Sequence, residues 1–314
     1  MKVKNVNIAI VGCGVIGRGW AIVFARAGAK VHLFDARRDA AFSAVSHIEN
    51  TLRDLRLDEK DIETVLGNLF ISHSLEAALD GADYAQESIT ETIEAKRDIF
   101  TQMDRTASQQ CILASSCSSM PPDKFLSDIP GVERCLVAHP FNPPHLIPVV
   151  EIVPAQETSP QSIKSAKELL LNIGQHPVTL HKPISGYIGN RLQAAIVSEV
   201  MHLVAEGVAS PEDIDTCMRL GLGMRWSLMG PLETMDLNAD KGIEEYVEKF
   251  GADYQSLSKE LGVKRPWTEG AVMAVRTERR KLLPVKLLQA RMAWRDRALL
   301  QIKDVVEQAR ERSS

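Results

Sequence analysis

Ile8-Ala9-Ile10-Val11-Gly12-Cys13-Gly14-Val15-Ile16-Gly17 is the stretch that decides how this chain folds. A short apolar run reads as a buried strand, and the pattern Gly-x-Gly-x-x-Gly follows at once and opens a helix. Gly12 makes the tight turn, Gly14 lets backbone approach a pyrophosphate, and Gly17 lets helix and strand pack closely. Free N–H groups at the helix start, from Val15, Ile16 and Gly17, face the phosphates. A second run, residues 30–34, ends on Asp35, 18 residues past Gly17. There a carboxylate accepts hydrogen bonds from the ribose hydroxyls of an adenosine. Its charge repels a 2′-phosphate, so NAD is expected over NADP, even though Arg37 and Arg38 are residues of the type that grips that phosphate.

Working outward, β-rich runs at 84–87, 111–114 and 134–138 alternate with helical patterns at 17–27, 39–55 and 92–107. Such alternation predicts parallel strands joined by helical crossovers, hence a Rossmann-type, doubly wound, mostly parallel α/β sheet. Runs at 146–153 and 177–181, bracketing a helix near 160–173, extend the same sheet. After Lys182-Pro183-Ile184-Ser185-Gly186 the texture changes to long helical periodicity, 187–208 and then 211–220. The expected organisation is an NAD-binding domain over 1–185 and an all-helical domain over 186–314.

Composition excludes several classes. With 45% apolar and 25% charged residues the chain is an ordinary globular protein. No run approaches the roughly 20 apolar residues of a membrane span. The run at 6–11 is too short for a signal-peptide core, so a cytoplasmic location is expected. The five cysteines (13, 111, 117, 135, 217) include no CxxC pair, which argues against a disulfide framework and a structural zinc site. Residues 276–314 hold 11 Lys/Arg against 5 Asp/Glu. Their apolar residues recur near helical spacing without aromatic interleaving, so this basic tail reads as amphipathic surface helix and not as a nucleic-acid surface.

The chemistry-bearing stretch is His139-Pro140-Phe141-Asn142-Pro143-Pro144, with Glu151 twelve residues after the histidine. Here the sequence resembles the 3-hydroxyacyl-CoA dehydrogenase superfamily, whose signature is a histidine in an H-x-x-N-P context followed by a glutamate. The resemblance runs through Ser115-Ser116-Cys117-Ser118-Ser119 and Gly186-Tyr187-Ile188-Gly189-Asn190-Arg191. In Gly221-Leu222-Gly223-Met224-Arg225-Trp226 and Gly230-Pro231-Leu232-Glu233-Thr234-Met235 it is similar to the lambda-crystallin branch, the L-gulonate 3-dehydrogenases.

That resemblance implies NAD-dependent oxidation of a 3-hydroxy acid. His139 would take the hydroxyl proton, since an imidazole titrating near neutrality suits the task, and Glu151 would hold its ring in one tautomer. Ser118 and Asn190 would hydrogen-bond substrate oxygen and nicotinamide. Glu91 and Lys96 match cofactor contacts of the family, an exposed helical charge pair being the alternative. Cys117 stands where relatives often carry threonine, and hydride transfer requires no nucleophile there. No metal is expected, because His139 supplies the acid–base function.

Substrate class is read from charge. An acyl-CoA brings several phosphates, and in the acyl-CoA branch a Lys-bearing helical segment after the second strand meets them. Residues 40–70 here are net acidic. A free 3-hydroxy acid needs one cation, and Arg225 is the candidate, with Arg191 in reserve. The remaining possibilities are a short-chain 3-hydroxyacyl-CoA dehydrogenase, a carnitine dehydrogenase and a non-catalytic NAD-binding structural protein. Relatives pair through the helical domain, so a symmetric homodimer is expected.

Overall fold

The computed structural model describes Val3, residues 6–54, 57–205 and 207–261, and Thr277, Arg280, Lys281, 283–288, 290, 291 and 305. Most of the basic segment 276–314, including Leu282, Leu299, Leu300, Ile302 and Val306, lies outside the described residues. By compactness the chain divides into Met1–Ala194 and Ala195–Ser314.

The first unit is built on eight strands: β1 (Asn7–Val11), β2 (Lys30–Phe34), β3 (Leu69–Ile71), β4 (Tyr84–Glu87), β5 (Ile112–Ser115), β6 (Cys135–Pro140), β7 (Val149–Pro154) and β8 (His176–Thr179). Its helices are α1 (Val15–Arg26), α2 (Arg38–Asp54), α3 (Glu59–Leu66), α4 (Leu75–Leu79), α5 (Ile93–Thr106), α6 (Asp123–Leu126) and α7 (Pro160–Asn172). The strands form one sheet in the order β3-β2-β1-β4-β5-β6-β7-β8. Every pairing is parallel except β6 with β7. This is the doubly wound sheet expected from the alternation of strands and helices.

Burial on both faces explains the continuous apolar strands. Ile8 and Ile10 of β1 pack with Trp20, Phe24 and Ile48 on one face, while Ala9 and Val11 pack with Leu79, Phe100 and Met103 on the other. The strand order reverses between β1 and β4, and in open α/β sheets ligands bind outside the strand ends at such a switch point. The Gly12–Gly17 turn and the β4 end both lie there.

Two local expectations shift, and one strand is new. β3 was not legible in the sequence, because only three residues pair and Phe70 between them is exposed. The strand expected from 146 begins at Val149, since Leu146 and Ile147 turn outward, the Leu146 and Ile147 amides bonding back to the Pro143 carbonyl. The helix expected from 187 begins at Gly189: α8 spans Gly189–Ala205, and Tyr187 before it has φ +50, outside any helix.

Within the second unit, α9 (Pro211–Thr216) runs into a π-helical turn, Cys217–Leu222, and then α10 (Gly223–Trp226), α11 (Pro231–Asp236) and α12 (Ile243–Glu260). Met229, Leu237, Leu283 and Leu288 form a small core. Buried Asp236 accepts from the Ile243 amide at 2.8 Å and pairs with Arg280. Among the described residues no helix is long and apolar enough to cross a membrane.

Candidate active site

The Gly12–Gly17 turn is fixed by contacts that only glycine permits. At Gly12, with φ +99, a Cβ would stand 2.6 Å from the Ser88 carbonyl oxygen, and at Gly17 it would stand 1.9 Å from the Gly12 oxygen. At Gly14, by contrast, a Cβ would meet nothing within 4 Å, so that side of the loop is open. The first turn of α1 carries no acidic side chain, leaving its amides to an anion. The Asp35 carboxylate closes this loop: Oδ2 accepts from the Cys13 amide and Oδ1 from the Arg37 amide, each at 2.9 Å. Arg37 Nε lies 3.7 Å from Asp35. An open glycine face, free helix-start amides and an anchored carboxylate suit a dinucleotide with a free ribose 2′-hydroxyl.

The antiparallel register of β6 and β7 sets His139 directly opposite Glu151. Both side chains are buried, and His139 Nδ1 lies 2.8 Å from Glu151 Oε2. The other carboxylate oxygen, Oε1, accepts from the Ile188 amide at 2.8 Å and the Gly189 amide at 2.9 Å. Burial pushes the Glu151 carboxyl up, but the bonds from His139 and the two amides outweigh it and hold it below the ordinary carboxylate range. An ionised Glu151 accepts only, so Nδ1 carries its hydrogen and Nε2 is left with a lone pair. Two rings neighbour the imidazole, Tyr187 at 5.5 Å and Phe141 at 6.0 Å between centroids.

Ser118 lies on the turn after β5. Its amide donates to Glu91 Oε1 at 2.7 Å and its hydroxyl to the same carboxylate at 2.7 and 2.8 Å. Asn190 Nδ2 donates to the Ser118 carbonyl at 2.7 Å. Partial burial raises the Glu91 carboxyl, but these bonds, with Cys117 and the Lys96 charge, bring it below its usual range. The Cys117 thiol is pushed up by burial and so kept from the thiolate form a nucleophile requires.

Lys96 departs from the exposed-pair reading. It is not half of an exposed pair. It is buried, and its Nζ donates to both Glu87 oxygens at 3.0 Å and to Ser115 Oγ at 3.4 Å. Thr92 accepts from the Ala95 amide and caps α5, which carries the lysine to this point. Glu87 escaped the sequence reading altogether. The available signal was a carboxylate ending a short strand, with a lysine on the helix that follows. Of the two candidate cations for substrate, Arg191 donates to the Ser185 carbonyl at 3.4 Å. Arg225, on α10, is half-buried and has no carboxylate partner among the described residues.

Comparison with known proteins identifies the family. The family model for the 3-hydroxyacyl-CoA dehydrogenase NAD binding domain matches residues 7–183, and that for the C-terminal domain matches 186–281. The chain is 37% identical over 309 residues to the lambda-crystallin homolog of Bos taurus, covering 96% of each. It is 34% identical to an L-carnitine dehydrogenase of Pseudomonas sp, covering 83% of this chain and 79% of that one. Among solved structures, a 3-hydroxybutyryl-CoA dehydrogenase from Escherichia coli K12 matches with TM-score 0.66 and 31% identity, over 75% of this chain and half of the other. The cofactor is thus NAD, and the chain belongs to the 3-hydroxyacyl-CoA dehydrogenase family of NAD-dependent oxidoreductases acting on a CH–OH group.

Proposed function

We propose that this enzyme oxidises a free 3-hydroxy acid such as L-gulonate to the 3-oxo acid, with His139 and Glu151 as its acid–base pair. The observation that carries the reading is the 2.8 Å bond from His139 Nδ1 to a buried, amide-anchored carboxylate, which leaves Nε2 as an acceptor. The substrate hydroxyl gives its proton to Nε2, and Glu151 stabilises the imidazolium that results. NAD, bound over the Gly12–Gly17 turn and Asp35, supplies the acceptor for the hydride that leaves the carbinol carbon. Ser118 donates its hydroxyl hydrogen bond to Glu91, so its oxygen lone pairs accept from substrate or carboxamide, and Asn190 steadies the same turn. Arg225 is the cation for the substrate carboxylate. A cytoplasmic setting belongs to the same reading and accords with five free thiols.

The deciding measurement is NADH formation with L-gulonate, 3-hydroxybutyrate, L-carnitine and 3-hydroxybutyryl-CoA. Turnover with the free sugar acid or hydroxybutyrate is expected. Tight NAD binding with no turnover on any of them would favour a structural role instead.

Cofactor choice rests on Asp35. Asp35→Ser removes the ribose acceptor and the repulsion of a 2′-phosphate together. NAD affinity should fall about 10-fold, the cost of a hydrogen bond to a charged group, while discrimination against NADP relaxes. A wild-type preference for NADP would remove this role from Asp35.

A symmetric homodimer through the helical region completes the proposal. Leu192, Val197 and Met201 of α8 are exposed at 59%, 48% and 63%. Apolar side chains so presented along one helix are what an isologous interface covers. Light scattering at micromolar concentration should give twice the chain mass of 34.7 kDa, and a monomeric mass would contradict the pairing.

A further inference from the structure

Tyr187 is the only non-glycine among the described residues with a positive φ, +50, and it is fully buried. A bulky residue persists in that conformation only where its surroundings over-determine it, and such outliers gather at functional sites. Three of its attachments converge on the candidate active site. Its ring centroid lies 5.5 Å from that of His139, with the planes tilted by 57°. Its hydroxyl donates to the Met120 carbonyl at 2.6 Å, on the turn that carries Ser118. Its backbone, following Gly186 at φ +78, delivers the next two amides to Glu151 Oε1.

We infer that Tyr187 is a positioning residue for the dehydrogenase reaction, with separable duties for ring and hydroxyl. The ring keeps the His139 imidazole in the plane that lets Nδ1 meet Glu151. The left-handed backbone aims the amides that anchor that carboxylate. The hydroxyl ties the Met120 end of the Ser118 turn to the same residue, so acid–base pair and substrate-side serine share one support. Glycine at 187 would adopt this backbone more readily but would leave the imidazole without its neighbour. The inference rests on the reading of His139 and Glu151 as the acid–base pair.

The test compares Tyr187→Leu, Tyr187→Phe and His139→Ala for kcat, KM and NADH affinity. It adds the 15N spectrum of labelled histidine, which reports the His139 tautomer without turnover. Tyr187→Leu should bind NADH as wild type, lose about 10-fold in kcat, as a displaced reacting group does, and show a mixed His139 tautomer. Tyr187→Phe keeps the ring and should restore kcat and the single tautomer, while KM rises about 5-fold, a neutral hydrogen bond's worth. A leucine variant with wild-type kcat and an unmixed tautomer overturns the proposal. Should that variant fail to bind NADH, the phenylalanine variant decides: raised KM at wild-type kcat supports it, and wild-type KM overturns it. An active His139→Ala would instead remove the acid–base reading, while the tautomer signal would still report whether Tyr187 orients the imidazole.

Discussion

Replacing His139 by alanine is expected to lower kcat by about 10²–10⁴-fold, the worth of a positioned acid–base group, while NADH affinity stays near wild type. The two effects separate because the groups are separate. The imidazole is held by Glu151 and neighboured by Tyr187 and Phe141, whereas the Gly12–Gly17 turn is held by Asp35 and by the Phe34 carbonyl, which accepts from the Gly12 amide. Glu151→Gln is expected to impair turnover with some activity left. A carboxamide has one acceptor oxygen where the carboxylate uses two. If that oxygen keeps the Ile188 and Gly189 amides, the NH2 group faces Nδ1 and favours the tautomer whose Nε2 carries hydrogen. That tautomer cannot take the substrate proton. Stopped-flow NADH formation, with fluorescence titration for NADH, checks both variants. A His139→Ala enzyme turning over at close to the wild-type rate would dismiss the imidazole as the base.

The sequence was informative wherever function depends on local chain geometry. The glycine turn is legible because each glycine answers one contact within a strand–turn–helix unit, and the structure realises those contacts at Gly12 and Gly17. Asp35 follows from its distance along the chain, since a second strand of fixed length ends where the ribose would lie. What stayed illegible depends on partners distant in sequence. Glu87 and Lys96 are nine residues apart, yet their union depends on α5 returning over β4 and burying both charges beside Ser115. No local pattern separates that pair from a solvated helix charge. Ser118 and Glu91, 27 residues apart, meet for the same kind of reason. Tyr187 was hidden by periodicity: its apolar ring fits the helical pattern of the segment after it, while its backbone belongs to the turn before.

Arg225→Met is expected to raise KM for the free 3-hydroxy acid by about 10–100-fold, the loss of a hydrogen bond between charged groups. NADH affinity should persist, and kcat should change less than KM, since a carboxylate clamp grips ground state and transition state alike. The expectation starts from the charge of residues 40–70. Phosphates of an acyl-CoA call for basic residues, and residues 40–70 hold Arg53, Arg56 and Lys60 among six acids. Arg53 is itself engaged, 2.9 Å from Glu49 and bonded to Glu59. A compact acid needs one cation whose charge is not already matched. Arg191 is drawn to the Ser185 carbonyl, but Arg225 has no carboxylate partner among the described residues. Burial and the bond to Tyr254 push the Tyr246 hydroxyl up to about 12, and the nearby Arg225 charge pulls against them. Methionine keeps the bulk and apolar stem of arginine and removes only the cation, so packing stays and the charge goes. Arg225→Lys should recover part of the loss, because a point charge replaces a planar fork. Steady-state kinetics on L-gulonate and 3-hydroxybutyryl-CoA, wild type beside both variants, decide the matter. Efficient oxidation of the thioester with none of the free acid, or an unchanged KM in Arg225→Met, would turn the substrate assignment toward acyl-CoA.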